Sequence, residues 1–414
     1  MIPKAIYRII YKKYAGSFFN EEKTSRALGY HELNYWSKLF FDAVMSGDIK
    51  LCKTVIMKEF SRKGFEDNKV FFDKFCCCCL QKDNIAKKNE YQELLQIKEN
   101  QGVRFNKRLD WEKLLYLTLS QKMYRLGLLV RNEFLSYLSK HGSLEDRFCI
   151  CIENGEYVEA KKILDDVRKK RFPLYFYWNG IQHYYDAIPG EHCSGHGQHY
   201  DEEFQKYVAN KRIVIIGPSD NGEDYTLDIQ NTIIVRFAHF KDADYVYKTN
   251  MSYYNGMHSV KMENDGQIPS GIEWCVFKYN RNTEFRKKVY KEKRGRMGRW
   301  STKMMLPGSS PNMLQVALVD LSHYTKNLYV CDSNMYINNV YKTGYASIEL
   351  RDKMNNYKKQ SMFAQHDIIG NFLFTKSLFK NGYFKCDKRL EEILSMSIFD
   401  YVYQMEFNNG LWEI

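Results

Sequence analysis

The chain has 414 residues, of which 44% are hydrophobic and 15% aromatic, so it is long and apolar enough to bury large cores. This composition excludes an intrinsically disordered protein. The formal net charge of +12 favours anionic partners such as a nucleotide, an acidic glycan or a membrane surface. Charges of both signs are mixed and no contiguous basic stripe is interleaved with aromatics, so we expect no nucleic-acid partner.

The cysteines and the N-terminus favour a cytoplasmic protein. Eleven cysteines form no framework spacing, and Cys76–Cys79 are consecutive, which is typical of a reducing compartment. The N-terminus has neither the uninterrupted apolar run nor the cleavage site of a signal peptide, and no apolar run is long enough to span a bilayer. Residues 3–14 place isoleucines near one helical face with lysines and an arginine beside it. Such a helix either lies on an anionic membrane, which would make the protein peripheral at the inner face of the plasma membrane, or packs on its own domain.

Helical periodicity runs from about Glu21 to Arg171. Two segments end a helix at a glycine, Gly47 and Gly155, and each then continues into an amphipathic helix, Lys50–Phe60 or Val158–Val167. This is the pattern of antiparallel helix pairs, although no fixed repeat can be counted. We predict an α-helical repeat or bundle domain over residues 1–171.

Two cysteine- and histidine-rich segments raise the question of metal binding. Consecutive residues point in different directions around a helix, so Cys76–Cys79 cannot jointly ligate one ion, and a buried helix is the favoured interpretation. Residues 172–204 shift in composition and are predicted to be a linker. They contain four residues of kinds that bind zinc, His192, Cys193, His196 and His199. These residues either bind zinc or belong to a polar surface loop. No second ligand pair follows, which favours the loop.

The third region, residues 205–414, alternates strands with turns and helices. The apolar run Arg212–Ile216 stops in the turn Gly217–Gly222, and a second run, Thr232–Val235, ends at Arg236. A buried strand that stops in a glycine-containing turn places backbone N–H groups where phosphate-like anions bind in open α/β sheets. The alternative is a tight turn between two core strands, and the spacing is not that of a dinucleotide fingerprint.

Further along, Ala243–Lys248 and Trp274–Tyr279 are predicted strands. The strongly basic stretch Arg281–Lys303 is either a solvated helix and loop or a lid over an anionic substrate. Both interpretations remain open.

Two later segments add candidate chemistry. The turn at Ser309 and Ser310 leads into a helix, with one of these serines as N-cap and Pro311 at the first helical position, and a strand follows at Asn327–Cys331. The N-terminus of that helix is a second predicted anion site. His366 is expected at another helix start, beside Asp367, whose carboxylate could hold the imidazole in the tautomer of a general base. The alternative is a structural polar histidine.

These segments, in this order, resemble the sialylmotifs of the eukaryotic-type sialyltransferase family. Its large motif is matched by Ile215–Ser219, Leu227–Ile229 and Ile234–Arg236, and its small motif by Pro307–Ser310 with the following helix and strand. Its last motif is a histidine followed five positions later by glutamate. His366 matches the histidine, and the fifth position is Asn371. The segment His366–Gly382 also resembles bacterial glycosyltransferases related to this family.

The sequence departs from the family at defined positions. Pro218 replaces the asparagine of the Gly-Asn-Ser turn, and Ala238 replaces the asparagine that follows the motif's arginine. The two cysteines that join the motifs in secretory members are missing, with Arg212 and Thr325 near their places. This last difference agrees with a reducing compartment.

The resemblance implies an α/β Rossmann-like glycosyltransferase domain, a variant of the GT-A fold, preceded by the all-α domain. It implies metal-independent, inverting transfer of an acidic keto-sugar, sialic acid or Kdo, from a CMP-activated donor to a glycan or lipid-linked glycan acceptor of a bacterial capsule or lipopolysaccharide. No cofactor beyond the donor substrate is expected.

The residues then take candidate roles. The catalytic pair is His366 and Asp367. The donor nucleotide would be bound by Gly217, Pro218, Ser219, Asp220, Asn221, Arg236, Gly308, Ser309 and Ser310. The departing phosphate would be stabilised by Tyr341, Tyr345, Tyr357 or Arg236. Two alternatives remain: a transferase for another activated sugar or sugar phosphate, and a helical-repeat adaptor that carries an inactive nucleotide-binding domain.

Overall fold

A computed structural model describes most of the chain. The described residues are 30–169, 184–191, 199–219, 231–239, 247–256, 258, 262, 271–278, 288–289, 291–292, 295–301, 304–306, 309–338 and 356–409. They form a helical N-terminal region and a parallel sheet with helices, so the prediction of an all-α region followed by an α/β region is confirmed.

The N-terminal region is helical, as its periodicity predicts. Its helices are α1 (Tyr30–Ser46), α2 (Ile49–Glu59), α3 (Arg62–Asp67), α4 (Lys69–Leu80), α5 (Asn84–Gln101), α6 (Arg108–Ser120), α7 (Tyr124–His141), α8 (Leu144–Asn154) and α9 (Tyr157–Lys169). None of the helices in the described part of the chain is long and apolar enough to cross a membrane.

Local sequence explains where these helices start and stop. Asp48 accepts hydrogen bonds from two N–H groups at the start of α2, and Ser143 forms a reciprocal capping box with Asp146 at the start of α8. Gly47 and Gly155 both have a positive φ, 72° and 77°, which confirms the predicted glycine helix ends.

The four consecutive cysteines lie in α4, where Cys76, Cys78 and Cys79 are buried. Burial raises the pKa of the Cys78 thiol to about 12, so this thiol stays protonated and unreactive near neutral pH. The prediction of a buried helix is therefore confirmed.

Within the described residues the sheet has seven strands, and every neighbouring pair is parallel. The strands are β1 (Arg212–Ile216), β2 (Thr232–Phe237), β3 (Met251–Tyr254), β4 (Trp274–Phe277), β5 (Gly295–Met297), β6 (Leu328–Cys331) and β7 (Lys385–Cys386). Their order is β5-β4-β3-β2-β1-β6-β7, so the winding direction reverses between β1 and β6. In open α/β sheets ligands bind beyond the carboxyl ends of the strands near such a reversal.

The predicted strand Ala243–Lys248 is only partly described: residues 243–246 lie outside the described residues, and Tyr247 and Lys248 are not in a strand. The Tyr247 carbonyl accepts a hydrogen bond from the Arg236 side chain at 2.8 Å. The sequence pattern does not predict β3, Met251–Tyr254. Met251–Tyr254 is buried at every position and pairs with strands on both sides.

The C-terminal helices join the two regions. After α10 (His199–Val208) and α11 (Met313–Ser322), the chain forms α12 (Asn356–Gln365), α13 (Ile368–Lys380), α14 (Lys388–Ser395) and α15 (Ile398–Asn408). Helices α12, α13 and α15 pack on α6, α8 and α7 respectively, and one continuous cluster of buried side chains includes residues of both regions. The domain limits 1–171, 172–204 and 205–414 stay predictions, because this core has no break at them.

Gly217 allows the backbone after β1 to lie close to the backbone after β6, where the winding direction of the sheet reverses. It directly follows β1, and a Cβ atom there would lie 2.1 Å from the Asp332 carbonyl oxygen and 2.7 Å from its carbonyl carbon, just beyond β6. Both neighbours are backbone atoms, so they cannot move aside as a flexible side chain would.

Gly217→Ala is therefore expected to destabilise the protein by about 1–3 kcal/mol or more, the usual cost of overpacking. Urea unfolding measures the change. The control is Gly298→Ala, because the nearest neighbours of a Cβ atom there would be side-chain atoms, of Val276 at 3.3 Å and of Asp320 at 3.7 Å. Equal and small decreases in the free energy of unfolding of both variants would contradict the close approach of Gly217 to the Asp332 backbone.

Candidate functional site

Polar side chains line the carboxyl edge of the sheet. The strand registers align Ile215 with Val235, Met251 and Trp274 on one side and with Val330 on the other. Four positions further along each strand the described residues are Ser219, His239, Asn255, Lys278 and Asn334. Side chains that follow parallel strands at one level share the edge where ligands bind.

Lys278 is the charged member of this row. It directly follows β4 and is only 3% exposed. Its ammonium nitrogen donates to the Ser310 hydroxyl at 3.0 Å and to the Pro311 carbonyl, and it lies 5.0 Å from the centre of the Trp300 ring. Burial lowers the pKa of Lys278 from 10.5 to about 7, because the charged form loses its hydration.

His366 meets the same segment from the other side. It lies in the turn between α12 and α13, and its Nδ1 is 3.1 Å from the Ser310 carbonyl oxygen. A carbonyl can only accept a hydrogen bond, so Nδ1 carries the proton and Nε2 keeps its lone pair. Burial first, and the charge of Lys278 second, lower the pKa of His366 from 6.5 to about 4. The imidazole is therefore neutral at pH 7 and able to accept a proton at Nε2.

The helix that follows Ser310 begins later than the sequence predicts. The N-cap of α11 is Asn312, not Ser309 or Ser310, and Pro311 precedes the helix. The Ser309 hydroxyl donates to the Leu306 carbonyl at 2.6 Å, and the Ser310 hydroxyl binds Lys278, so neither caps the helix. The Asn312 side chain forms no capping hydrogen bond, and its Nδ2 is buried with no partner among the described residues.

Two positively charged groups thus meet at Ser310, the Lys278 ammonium and the positive end of the α11 dipole, and the neutral imidazole of His366 contacts the same residue. A lysine at a helix N-terminus is electrostatically unfavourable, and a bound anion would relieve this repulsion. The arrangement can hold a phosphate or carboxylate beside a proton acceptor. We call Lys278, Ser310 and His366, with the N-terminus of α11, the Ser310 site.

Asn371 fixes the geometry of the Ser310 site. Its Oδ1 accepts the Asn312 N–H at 2.9 Å, and its Nδ2 donates to the His366 carbonyl. The side chain therefore ties the turn that carries His366 to the start of α11. Its amide group thus supplies both a donor and an acceptor.

Asp367 has a different place from the one predicted. Its carboxylate accepts from the Gly370 N–H at 3.1 Å as the N-cap of α13, and from Arg131 at 3.1 Å. The tautomer of His366 is set by the Ser310 carbonyl, so the expectation that Asp367 holds the imidazole is corrected. A carboxylate at the start of a helix accepts hydrogen bonds from the free N–H groups of the first turn, and the Asp367 carboxylate has this role in α13.

The turn after β1 is only partly described. The Gly217 N–H donates to Cys331 at 2.8 Å, the Ser219 N–H donates to Asp332 at 3.0 Å, and Pro218 has no N–H. The backbone donors of these three residues are therefore not available to an anion. Asp220 and Asn221 lie outside the described residues, so their part in nucleotide binding stays a prediction, as it does for Gly308, Tyr341 and Tyr345.

The other predicted phosphate ligands have different surroundings. The Arg236 guanidinium donates to Tyr247 at 2.8 Å and to the Thr249 hydroxyl at 2.7 Å. Tyr357 is buried in α12, with its ring 5.4 Å from that of Phe41. Neither contact involves the Ser310 site, where the cation is Lys278. The sequence signal for Lys278 is a lysine directly after an apolar strand, and the pattern of that segment predicts only the strand.

The structure gives no test of the zinc hypothesis. His192, Cys193 and His196 lie outside the described residues, and His199 begins α10. Among the residues that are described, no three of the types His, Cys, Asp and Glu are grouped as a metal site would require.

No family model, no curated protein and no solved structure matches this chain.

The lowered pKa of the half-buried His366 imidazole predicts how the stability of the protein depends on pH. The folded-state pKa of His366 is about 4 and its ordinary value is 6.5. As pH falls below 6.5 the unfolded chain binds this proton and the folded chain does not. His366 should therefore lower the free energy of unfolding by about 3 kcal/mol between pH 6.5 and pH 4, with no further loss below pH 4.

Urea unfolding at several pH values, for the wild type and His366→Asn, isolates this contribution as the difference between the two curves. The other titrating groups are common to both proteins and cancel. A difference that does not change between pH 7 and pH 4 would show that His366 titrates normally in the folded protein.

Proposed function

We propose that the chain is a glycosyltransferase that moves an acidic keto-sugar, sialic acid or Kdo, from a CMP-activated donor to a surface-polysaccharide acceptor, with inversion and without a metal ion. The observation that carries the proposal is the contact of Lys278 and His366 with one residue, Ser310, at the start of α11. Ser310 and His366 belong to two segments that resemble successive sialylmotifs. Their contact across 56 positions of the chain supports the resemblance with a geometry suited to the reaction.

Each group has a role in this reaction. The donor phosphate would lie at the N-terminus of α11, beside the Lys278 ammonium. The acceptor hydroxyl oxygen would attack the anomeric carbon while Nε2 of His366 takes the hydroxyl proton. As the new carbon–oxygen bond forms, the bond from the anomeric carbon to the phosphate oxygen breaks, and its electron pair leaves with CMP. Lys278 and the helix dipole would stabilise the negative charge that develops on that phosphate.

The proposal extends to the finer features that the resemblance implies. The sheet would be a Rossmann-like variant of the GT-A fold. The acceptor would be a capsule or lipopolysaccharide glycan or its lipid-linked precursor, reached from the cytoplasm. Residues 3–14, which would contact the inner membrane surface, lie outside the described residues.

The alternative within enzymes, a transferase for another activated sugar, would use the same phosphate contacts. Nucleotide binding distinguishes the two. In a thermal-shift panel at a hundredfold over the dissociation constant, CMP should stabilise the protein by about 2.7 kcal/mol, and UDP, GDP and ADP should not. Stabilisation by a different nucleotide would reassign the donor, and stabilisation by none would leave the adaptor hypothesis.

Lys278 should control this binding. Only its charged form attracts phosphate, and its pKa is about 7, so the affinity for CMP should fall up to about tenfold per pH unit above that value. Lys278→Met should weaken binding and remove the pH dependence, as measured by isothermal titration calorimetry. The control is Lys87→Met, which changes another buried lysine, in α5. Unchanged binding by Lys278→Met would remove this residue from the donor site.

His366→Ala should lower the turnover number by about 10²–10⁴-fold, the usual contribution of a general base, with little change in CMP affinity. A coupled assay of CMP release measures turnover. The control His323→Ala removes a buried histidine at the opposite end of α11. Near-normal turnover by a folded His366→Ala protein would exclude the general-base role.

A further inference from the structure

The turn that carries His366 is held by a buried ion pair from the helical region. Arg131, on α7, is fully buried and donates from one nitrogen, Nη2, to Glu153 of α8 at 2.5 Å and to Asp367 at 3.1 Å. The bond to Asp367 joins residues 236 positions apart. It is a direct polar link between the N-terminal helices and the Ser310 site.

The backbone at this link has an unusual conformation. Asp367 has φ 38° and ψ 75°, in the left-handed region that aspartate tolerates better than most residues. This conformation turns the chain from the end of α12 into α13 directly after His366. The direction of the imidazole therefore depends on Asp367 keeping it.

Local packing shows that Arg131 is fitted to this turn. A Cβ atom on Gly370 would lie 2.5 Å from the Asp367 carboxylate and 2.9 Å from Nη2 of Arg131. Because glycine has no side chain, the Arg131 guanidinium can contact the Asp367 carboxylate beside it. The Nε and Nη1 groups of Arg131 have no partner among the described residues, so its placement rests on the two carboxylates.

Resting on the proposed function, we infer that Arg131 is a positioning residue for catalysis. Through Asp367 it holds the turn at residues 366–367, so that the His366 imidazole meets the Ser310 carbonyl and faces the acceptor hydroxyl. The helical region thereby takes part in the active site without touching the substrate.

The test measures the titration of His366 by NMR in the full chain with ¹⁵N-labelled histidine, with the signal assigned by comparison with His366→Asn. This readout requires no activity, so it stands even if the donor or the reaction proves to be different. The charged groups that face the turn are Arg131, Glu153, Asp367 and Lys278, with the Tyr401 hydroxyl nearby.

Two variants separate positioning from direct charge effects. Arg131→Met removes the cation, and Asp367→Asn removes the carboxylate while keeping a residue that caps helices and tolerates the left-handed conformation. If the ion pair positions His366, both variants release the imidazole and its pKa rises from about 4 towards 6.5. Through-space charge alone would raise the pKa in Arg131→Met and lower it further in Asp367→Asn.

The matched control is Arg108→Met, which breaks a similar buried pair, with Glu112 and Asp146, in the same helical region. It should leave the His366 titration unchanged. Arg131→Lys, which keeps a charge near Asp367, should give a pKa between those of the wild type and Arg131→Met. If Arg131→Met does not fold, Asp367→Asn and Arg131→Lys carry the test.

Opposite shifts in Arg131→Met and Asp367→Asn, or an unchanged titration in folded variants, would overturn the inference. Once a donor substrate that the protein uses is known, the kinetics of Arg131→Lys and Asp367→Asn can be measured. Both variants should lower the turnover number more than they raise the Michaelis constant for the donor, because the contacts to the donor phosphate remain. If Arg108→Met lowers the turnover number as much as these two variants do, the loss comes from general destabilisation of the protein.

Discussion

The site depends on one electrostatic constraint: a lysine ammonium and an imidazole share the start of a helix. Burial lowers the pKa of both Lys278 and His366, and the charge of Lys278 lowers that of His366 further. The Lys278 ammonium also lies at the positive end of the α11 dipole, which repels it. Such a cluster is costly for a structure that binds nothing there. A bound anion would be attracted by both positive charges, which is why we propose that the Ser310 site binds one.

The polar contacts around this cluster come from distant parts of the chain. Asn371 ties the His366 turn to the start of α11, and Arg131 ties it to the helical region. The hydrophobic core continues through both regions, since the C-terminal helices pack on the N-terminal helices and α13 also packs on α11, which contacts the sheet. The helical region is therefore part of the structure that shapes the site, whatever else it binds.

Several features followed from local sequence because their causes are local. Glycine ends of helices, the buried strands of the sheet and the cysteine-rich helix depend on periodicity and on a few residues with strong backbone preferences. The same logic did not predict β3 and placed the start of α11 too early. This helix begins after Asn312, while the Ser310 hydroxyl and carbonyl are bound by Lys278 and His366.

The pattern of residues along the chain predicts an all-α region followed by strands, turns and helices, and it identifies Ser310 and His366 as candidate residues. How these residues combine depends on contacts between distant parts of the chain. Lys278 belongs to the site because the end of β4 lies beside Ser310 in the folded chain. Asp367 does not bind His366 as predicted, and its carboxylate binds Arg131 of α7. A pattern along the chain reports the preferences of nearby residues, whereas burial and charge depend on groups that folding brings together from far apart.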